Sequence, residues 1–136
     1  MKFFPYLAGF LLLLAGCSDA SKTPPQTALD AGRDFIRASL DGNFKAAEEL
    51  MLKDSQNVQM FQSYKTYYDR LSDEKKQHYK QASYTINKYL DIDDSTSVIN
   101  YSNSYMNKPM EIKVVRQSGK WQVDFKYISS GNLPID

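Results

Sequence analysis

Few residues in this chain carry side chains with the chemistry to act. One cysteine, Cys17, and one histidine, His78, occur in 136 residues. A thiol suits nucleophilic attack and alkylation, and an imidazole suits proton transfer or metal ligation near neutral pH. His78 lies in DEKKQHYKQ, among lysines and glutamines, so its ring reads as solvated and lacks the convergent partners of a metal site. Asp69, Asp91, Asp93 and Asp94 read as helix-surface and turn residues. The stretch DIDDSTS lacks the spaced oxygens and closing glutamate of a calcium loop. No serine stands in a nucleophile-elbow context, and no glycine-rich phosphate loop is present. This pattern offers no catalytic residue, no metal site and no cofactor site.

Cys17 stands apart because of what precedes it. The chain opens MKFFPYLAGFLLLLAGC: a basic start at Lys2, an apolar run from Phe3 to Leu14, then Ala15, Gly16 and Cys17. A charged end, a short apolar run and a small-residue site make a secretory signal peptide. The run is shorter than the roughly 20 apolar residues that span a bilayer. Leu14-Ala15-Gly16-Cys17 resembles the signal of bacterial lipoproteins. That resemblance implies cleavage between Gly16 and Cys17, a lipid on the Cys17 thiol and a further acyl chain, such as palmitate, on its new amine. Two or more chains anchor stably where one does not. The expected location is the bacterial cell membrane or outer membrane, lipid-anchored, with the domain outside the cytoplasm. A plain secreted protein, or an uncleaved anchor, with an incidental cysteine is the alternative.

The formal net charge is +1, and removing residues 1–16 takes away one lysine and no acid. Without a basic excess to neutralise phosphates, nucleic acid is not an expected partner. Acylation of the one cysteine leaves no thiol for a disulfide or a cysteine-bound metal. The polar stretch SDASKTPPQ reads as a tether, so the expected division is signal peptide 1–16, lipidated cysteine and tether 17–26, and one domain 27–136.

Within that domain the apolar spacing changes period once. Ala28, Ala31, Phe35, Ile36 and Leu40 recur at helical spacing, and Gly42 and Asn43 can stop that helix and cap the next. Phe44, Ala47, Leu50 and Met51 mark a short second helix. Val58, Phe61, Tyr64, Tyr67, Tyr68 and Leu71 mark a third from about Asn57 to Leu71, and a polar turn runs from Ser72 through Tyr79. Period two then takes over. Tyr84, Ile86, Lys88 and Leu90 share one face, Val98 to Tyr105 forms a second strand, and Met110, Ile112 and Val114 alternate in a third. Ser118-Gly119 makes a hairpin into a last strand whose inner row is Trp121, Val123, Phe125 and Tyr127. Helices followed by an antiparallel meander predict an α+β domain with the helices covering one sheet face.

PPQTALDAGRDFIRASLDGNFKAAEELM together with MEIKVVRQSGKWQVDF resembles small bacterial lipoproteins with a nuclear-transport-factor-2-like domain. The carriers are the acidic-glycine turn Asp41-Gly42 and the hairpin Gly119-Lys120-Trp121. The resemblance, over residues 24–127, implies a cone: a curved antiparallel sheet wrapped around helices, with a cavity at the wide end. A cystatin-like domain is the alternative fold.

If a pocket exists, its expected walls are Tyr64, Tyr67, Tyr68, Tyr84, Tyr101 and Trp121, with Asn100, Ser102, Asn103 and Ser104 either donating hydrogen bonds or forming a solvated strand face. Three roles fit. The first is a membrane-tethered, non-enzymatic domain binding an envelope protein or a small apolar ligand. The second is a cone-fold enzyme, of isomerase or dehydratase type, acting on a small hydrophobic substrate through an aspartate and a tyrosine. The third is a structural spacer.

Overall fold

The computed structural model describes residues 23–128. The signal run, Gly16 and Cys17 lie outside these residues, as do the first part of the tether and the tail 129–136. The elements are α1 (Ala28–Leu40), α2 (Phe44–Glu49), α3 (Ser55–Asp69), α4 (Asp73–Gln81), β1 (Tyr84–Asp93), β2 (Thr96–Asn103), β3 (Pro109–Gln117), β4 (Lys120–Asp124) and α5 (Phe125–Ile128). The strands form one antiparallel sheet in the order β1-β2-β3-β4. Helices followed by a meander make this an α+β fold.

Each of the first four helices begins on a side-chain cap that satisfies a free backbone N–H. Thr27, Asn43, Asp54 and Ser72 accept from the backbone of Asp30, Ala46, Asn57 and Lys75. Helix α1 ends at Asp41, and Gly42 follows with φ of +70°. A side chain there would meet the Tyr68 ring as well as adopting a left-handed backbone, so glycine is required twice over. The last hairpin turns through Ser118 and Gly119 at φ of 50° and 75°, the positive pair that a two-residue turn needs.

The core lies between α1 and the inner sheet face. Ile99, Ile112, Val114 and Val123 of the sheet are fully buried, as are Ala31 and Ile36 of α1. Gly32 allows the closest approach, because a methyl group there would collide with Ile99. A second cluster is aromatic. Phe61 of α3 meets Phe44 and Phe125 edge-on, with centroids 5.9 and 5.3 Å away. Such edge-to-face pairs add about 1 kcal/mol each beyond their buried area.

Three expectations are corrected. The row Tyr84, Ile86, Lys88, Leu90 does not share a face. The pairing slips between Ile86 and Lys88, so Tyr84 and Ile86 lie opposite Asn103 and Tyr101, whereas Lys88 and Leu90 lie opposite Asn100 and Val98. The extra residue, Asn87, inverts the alternation. Second, the last strand stops at Asp124, and Phe125 to Ile128 coil into α5, which puts Phe125 and Ile128 into the core. Third, β2 spans 96–103, and its buried row is Ser97, Ile99, Tyr101 and Asn103.

The two sheet margins differ. At the β4 margin the segment after α2 adds a short parallel bridge, Met51 to Val123, through Leu52 N–H to Val123 O and Val123 N–H to Leu50 O, both 2.8 Å. At the other margin, among the described residues, β1 pairs only with β2 and carries exposed Tyr89, Leu90 and Ile92.

Candidate functional site

A cavity of about 600 Å³ opens on one side of α1. Helix α1 contributes Phe35, Ile36, Ser39 and Leu40. Helix α3 contributes Met60, Ser63, Tyr64, Tyr67 and Tyr68, with Leu71 just beyond it. Tyr79 comes from α4. The sheet side supplies Tyr101 and Asn103 from β2, Met106 from the following turn and Met110 from β3. Phe125 and Ile128 of α5 close the base. The volume falls within the usual range for small-molecule sites, about 300–1,000 Å³, and carbon makes most of the wall.

The helical spacing of the third segment produces this wall. Met60, Tyr64 and Tyr67 recur at three and four residues along α3, so one stripe faces the cavity. Phe44 fixes the stripe from behind, with ring centroids 5.6 Å from Tyr64 and 4.8 Å from Tyr68. Helix α4 buries no residue of its own. Its C-terminal end is held by Arg37 of α1, which donates to the carbonyls of Lys80 in the last turn (3.1 Å) and Ala82 just beyond it (2.8 Å). Arg37 also pairs with Asp41 at 2.8 Å. Tyr79 donates to the Met106 sulfur across the cavity, and Asn103 Oδ1 accepts the backbone N–H of Tyr105 and Met106, folding the turn that carries Met106.

The polar groups of the wall are neutral. Among the described lining residues there is no Asp, Glu, His, Lys or Arg. Burial pushes the Tyr101 phenol far above its usual range, with the Tyr64 phenol adding to the effect. Burial also raises Tyr64, helped by the phenols of Tyr79, Tyr68 and Tyr67. These hydroxyls stay protonated and serve as hydrogen-bond groups rather than bases. Ser39 Oγ is buried and has no hydrogen-bond partner among the described residues.

Of the six expected wall residues, Tyr64, Tyr67, Tyr68 and Tyr101 meet in this cavity. Tyr84 and Trp121 do not line it. Tyr84 packs half-buried at the start of β1, opposite Asn103. Trp121 lies near the Ser118-Gly119 hairpin, its ring 5.9 Å from the Arg116 guanidinium, and lines a charged cleft on the opposite side of α1 with Arg37, Asp41 and Lys53. The methionines and Ser39 were missed. Ser39 sits one residue before Leu40 of the apolar stripe, and that position was its only signal in the sequence.

The polar run of β2 divides. Asn103 faces the cavity, Asn100 and Ser102 bond Asn87 on the outer face, and the Ser104 hydroxyl accepts the Ser83 N–H. His78 is outside the cavity, stacked on Tyr105 at 5.1 Å and half exposed, with Glu74 at 3.7 Å. Asp91 accepts the Ser97 hydroxyl at 2.6 Å, and Asp93 accepts the Ser95 N–H at 2.8 Å, so both carboxyls are held below their ordinary range by structural hydrogen bonds. No group of three or more His, Cys, Asp or Glu residues placed to hold a metal occurs among the described residues. No described helix is long and apolar enough to cross a membrane.

No family model, no curated protein and no solved structure matches this chain.

Proposed function

We propose that this protein is a lipid-anchored domain of the bacterial envelope, of the nuclear-transport-factor-2-like cone type, that holds a small apolar ligand without transforming it. The observation that carries the reading is the cavity wall, roomy and aromatic with neutral hydroxyls but no ionisable acid or base among its described residues. General-base chemistry needs a group that can take a proton near working pH, and phenols raised by burial do not meet that need. The leader and Cys17 support the anchor, since the apolar run ends at the chain's one thiol. The order of elements, helices then a four-stranded meander, is compatible with a cone.

Two measurements test the reading. Intact-mass analysis of protein purified from a bacterial envelope is expected to show loss of residues 1–16 and acylation of Cys17; an unmodified thiol or a retained leader overturns the anchor. Thermal melting against a panel of uncharged apolar compounds is expected to give stabilisation that Tyr64→Ala and Tyr101→Ala abolish. A panel with no shift overturns the binding role.

A further inference from the structure

The charged cleft across α1 from the aromatic cavity has a volume of about 660 Å³ and is lined both by residues 23–26 and by the β3–β4 hairpin. Residues 23–26 end the tether, so the chain enters the domain along this cleft. Cys17 precedes Thr23 by six residues, and six extended residues span at most about 22 Å. A domain of about 100 residues is roughly 30 Å across. With Cys17 fixed in a bilayer, the domain is too wide to swing its far pole to the surface. The rim of this cleft is the part held beside the headgroups.

The chemistry of that rim fits the same neighbour. Lys53, Arg116 and Lys120 line the cleft and are exposed. None of the three makes an ion pair among the described residues. They gather beside β4: Lys53 follows Leu52, which hydrogen-bonds Val123, and Arg116 and Lys120 flank the hairpin. Arg116 lies 5.9 Å from the ring centre of Trp121, which is half-buried. Cations beside a tryptophan suit the boundary where lipid phosphates meet apolar chains. Of the carboxylates in the cleft, Asp41 is paired with Arg37, while Asp34 and Glu49 stand on α1 and α2 rather than on the hairpin. We propose that this cleft is the membrane-facing surface of the protein, with Lys53, Arg116 and Lys120 docked on anionic lipid headgroups and Trp121 at the interface. This rests on the reading of Cys17 as a lipid anchor. Docking turns the aromatic cavity, on the opposite side of α1, away from the headgroups.

Trp121 is the chain's one tryptophan, so its fluorescence reports on this cleft. Protein purified from a bacterial envelope is inserted into vesicles of phosphatidylcholine brominated in the upper acyl chain, with or without phosphatidylglycerol. Flotation and intact mass report the anchor separately. The protein is expected to float with both vesicles, and bromine to quench Trp121 about fivefold more strongly with phosphatidylglycerol, the weight of one surface cation. The difference should fade at high salt. Lys53→Glu combined with Lys120→Glu is expected to abolish it while leaving Arg116 on the Trp121 ring. Lys88→Glu, exposed on β1 at the other sheet margin, is expected to preserve it. Floating protein quenched equally in both vesicles would overturn the docking and leave the anchor standing, and an equal loss from Lys88→Glu would reduce the effect to net charge and overturn it too. Quenching that tracks protein density instead of lipid charge would make a second copy the occupant and overturn the proposal. Protein that neither floats nor carries acyl chains would sink anchor and docking together.

Discussion

Asn57 Nδ2 lies 3.1 Å from Asp124 Oδ1, joining the first turn of α3 to the last residue of β4 across 67 positions of sequence. Asn57 is fully buried and its amide is fully used. The same nitrogen reaches Asp54 Oδ2 at 3.0 Å, and the amide oxygen accepts the Lys126 N–H at the point where strand turns into helix. Lys126 completes the junction with contacts to Asp54 (2.8 Å) and Asp124 (3.1 Å). The cavity's α3 wall and its α5 base are therefore set by one amide.

Asn57→Ala is expected to destabilise the fold by about 2 kcal/mol, since it leaves the Lys126 backbone N–H without its acceptor and takes one of two donors from each of Asp54 and Asp124. Asn57→Asp should be worse than its size suggests, because it faces one acid with two. Urea denaturation of both variants checks this ordering; a loss below about 1 kcal/mol for the alanine variant would mean that water replaces the amide.

Arg37 is expected to control α4. Because α4 has no fully buried residue, replacing Arg37 by alanine should loosen the helix at its C-terminal end without unfolding the domain. Amide hydrogen exchange over residues 73–81 should accelerate at least about tenfold, matching a loss of 1.4 kcal/mol or more of local stability, while β2 and β3 keep their protection. Arg37→Lys should rescue little, since one ammonium cannot serve Asp41 and two carbonyls in the planar geometry of a guanidinium.

Gly42→Ala combines a left-handed backbone with a clash against Tyr68. A loss of about 2 kcal/mol or more is expected. In the Tyr68→Ala background the clash disappears, and the glycine substitution should cost only the backbone part. A double-mutant cycle on the four proteins reads the difference as a coupling energy; additive losses would show that the ring yields freely.

Stability should fall as the solution becomes alkaline. The Tyr64 and Tyr101 phenols are raised by burial, and Lys126 is raised first by its hydrogen bond to Asp54. A raised group retains its proton longer in the folded state, so its contribution is whole below the unfolded value near 10 and is lost as pH climbs above it. Tyr101→Phe should flatten the decline in melting temperature above about pH 10. At the acid end Asp54 is lowered, first by the Lys126 hydrogen bond, and its contribution should fade as pH drops below the ordinary carboxylate value of 3.8.

The stripe Ala28, Ala31, Phe35, Ile36 and Leu40 and the alternation of Ile112, Val114 and Val123 follow from simple periodicity, and the structure buries all of them. What periodicity could not show is where a period breaks. Asn87 adds one residue to β1 and reverses which side chains face inward, a geometric event with no hydropathy signature. Phe125 leaves the strand because the Asn57 amide captures the Lys126 N–H, a partner contributed from 69 residues away. Ser97 precedes the expected second strand, and polarity alone fits Asn103 to either a hydrogen-bonding or a solvated position; Asp91 and the turn at Tyr105 satisfy both inside. The aromatic spacing of α3 fits core and rim as well as a pocket wall, and the structure places Phe61 in the core and Tyr64, Tyr67 and Tyr68 at the cavity. Trp121 did not reach it, because its end of β4 faces the cleft beyond α1.

The interruptions in β1 bear on how its border would meet another chain. Between its two irregularities only Lys88 to Asp91 pair in regular succession, and the greasy side chains of Tyr89, Leu90 and Ile92 straddle the second break. A stray chain zipping onto this border would lose step after a handful of peptide units, before enough bonds accrued to hold it. Sticky residues are thus displayed on a border too broken to template a long run of strand pairing.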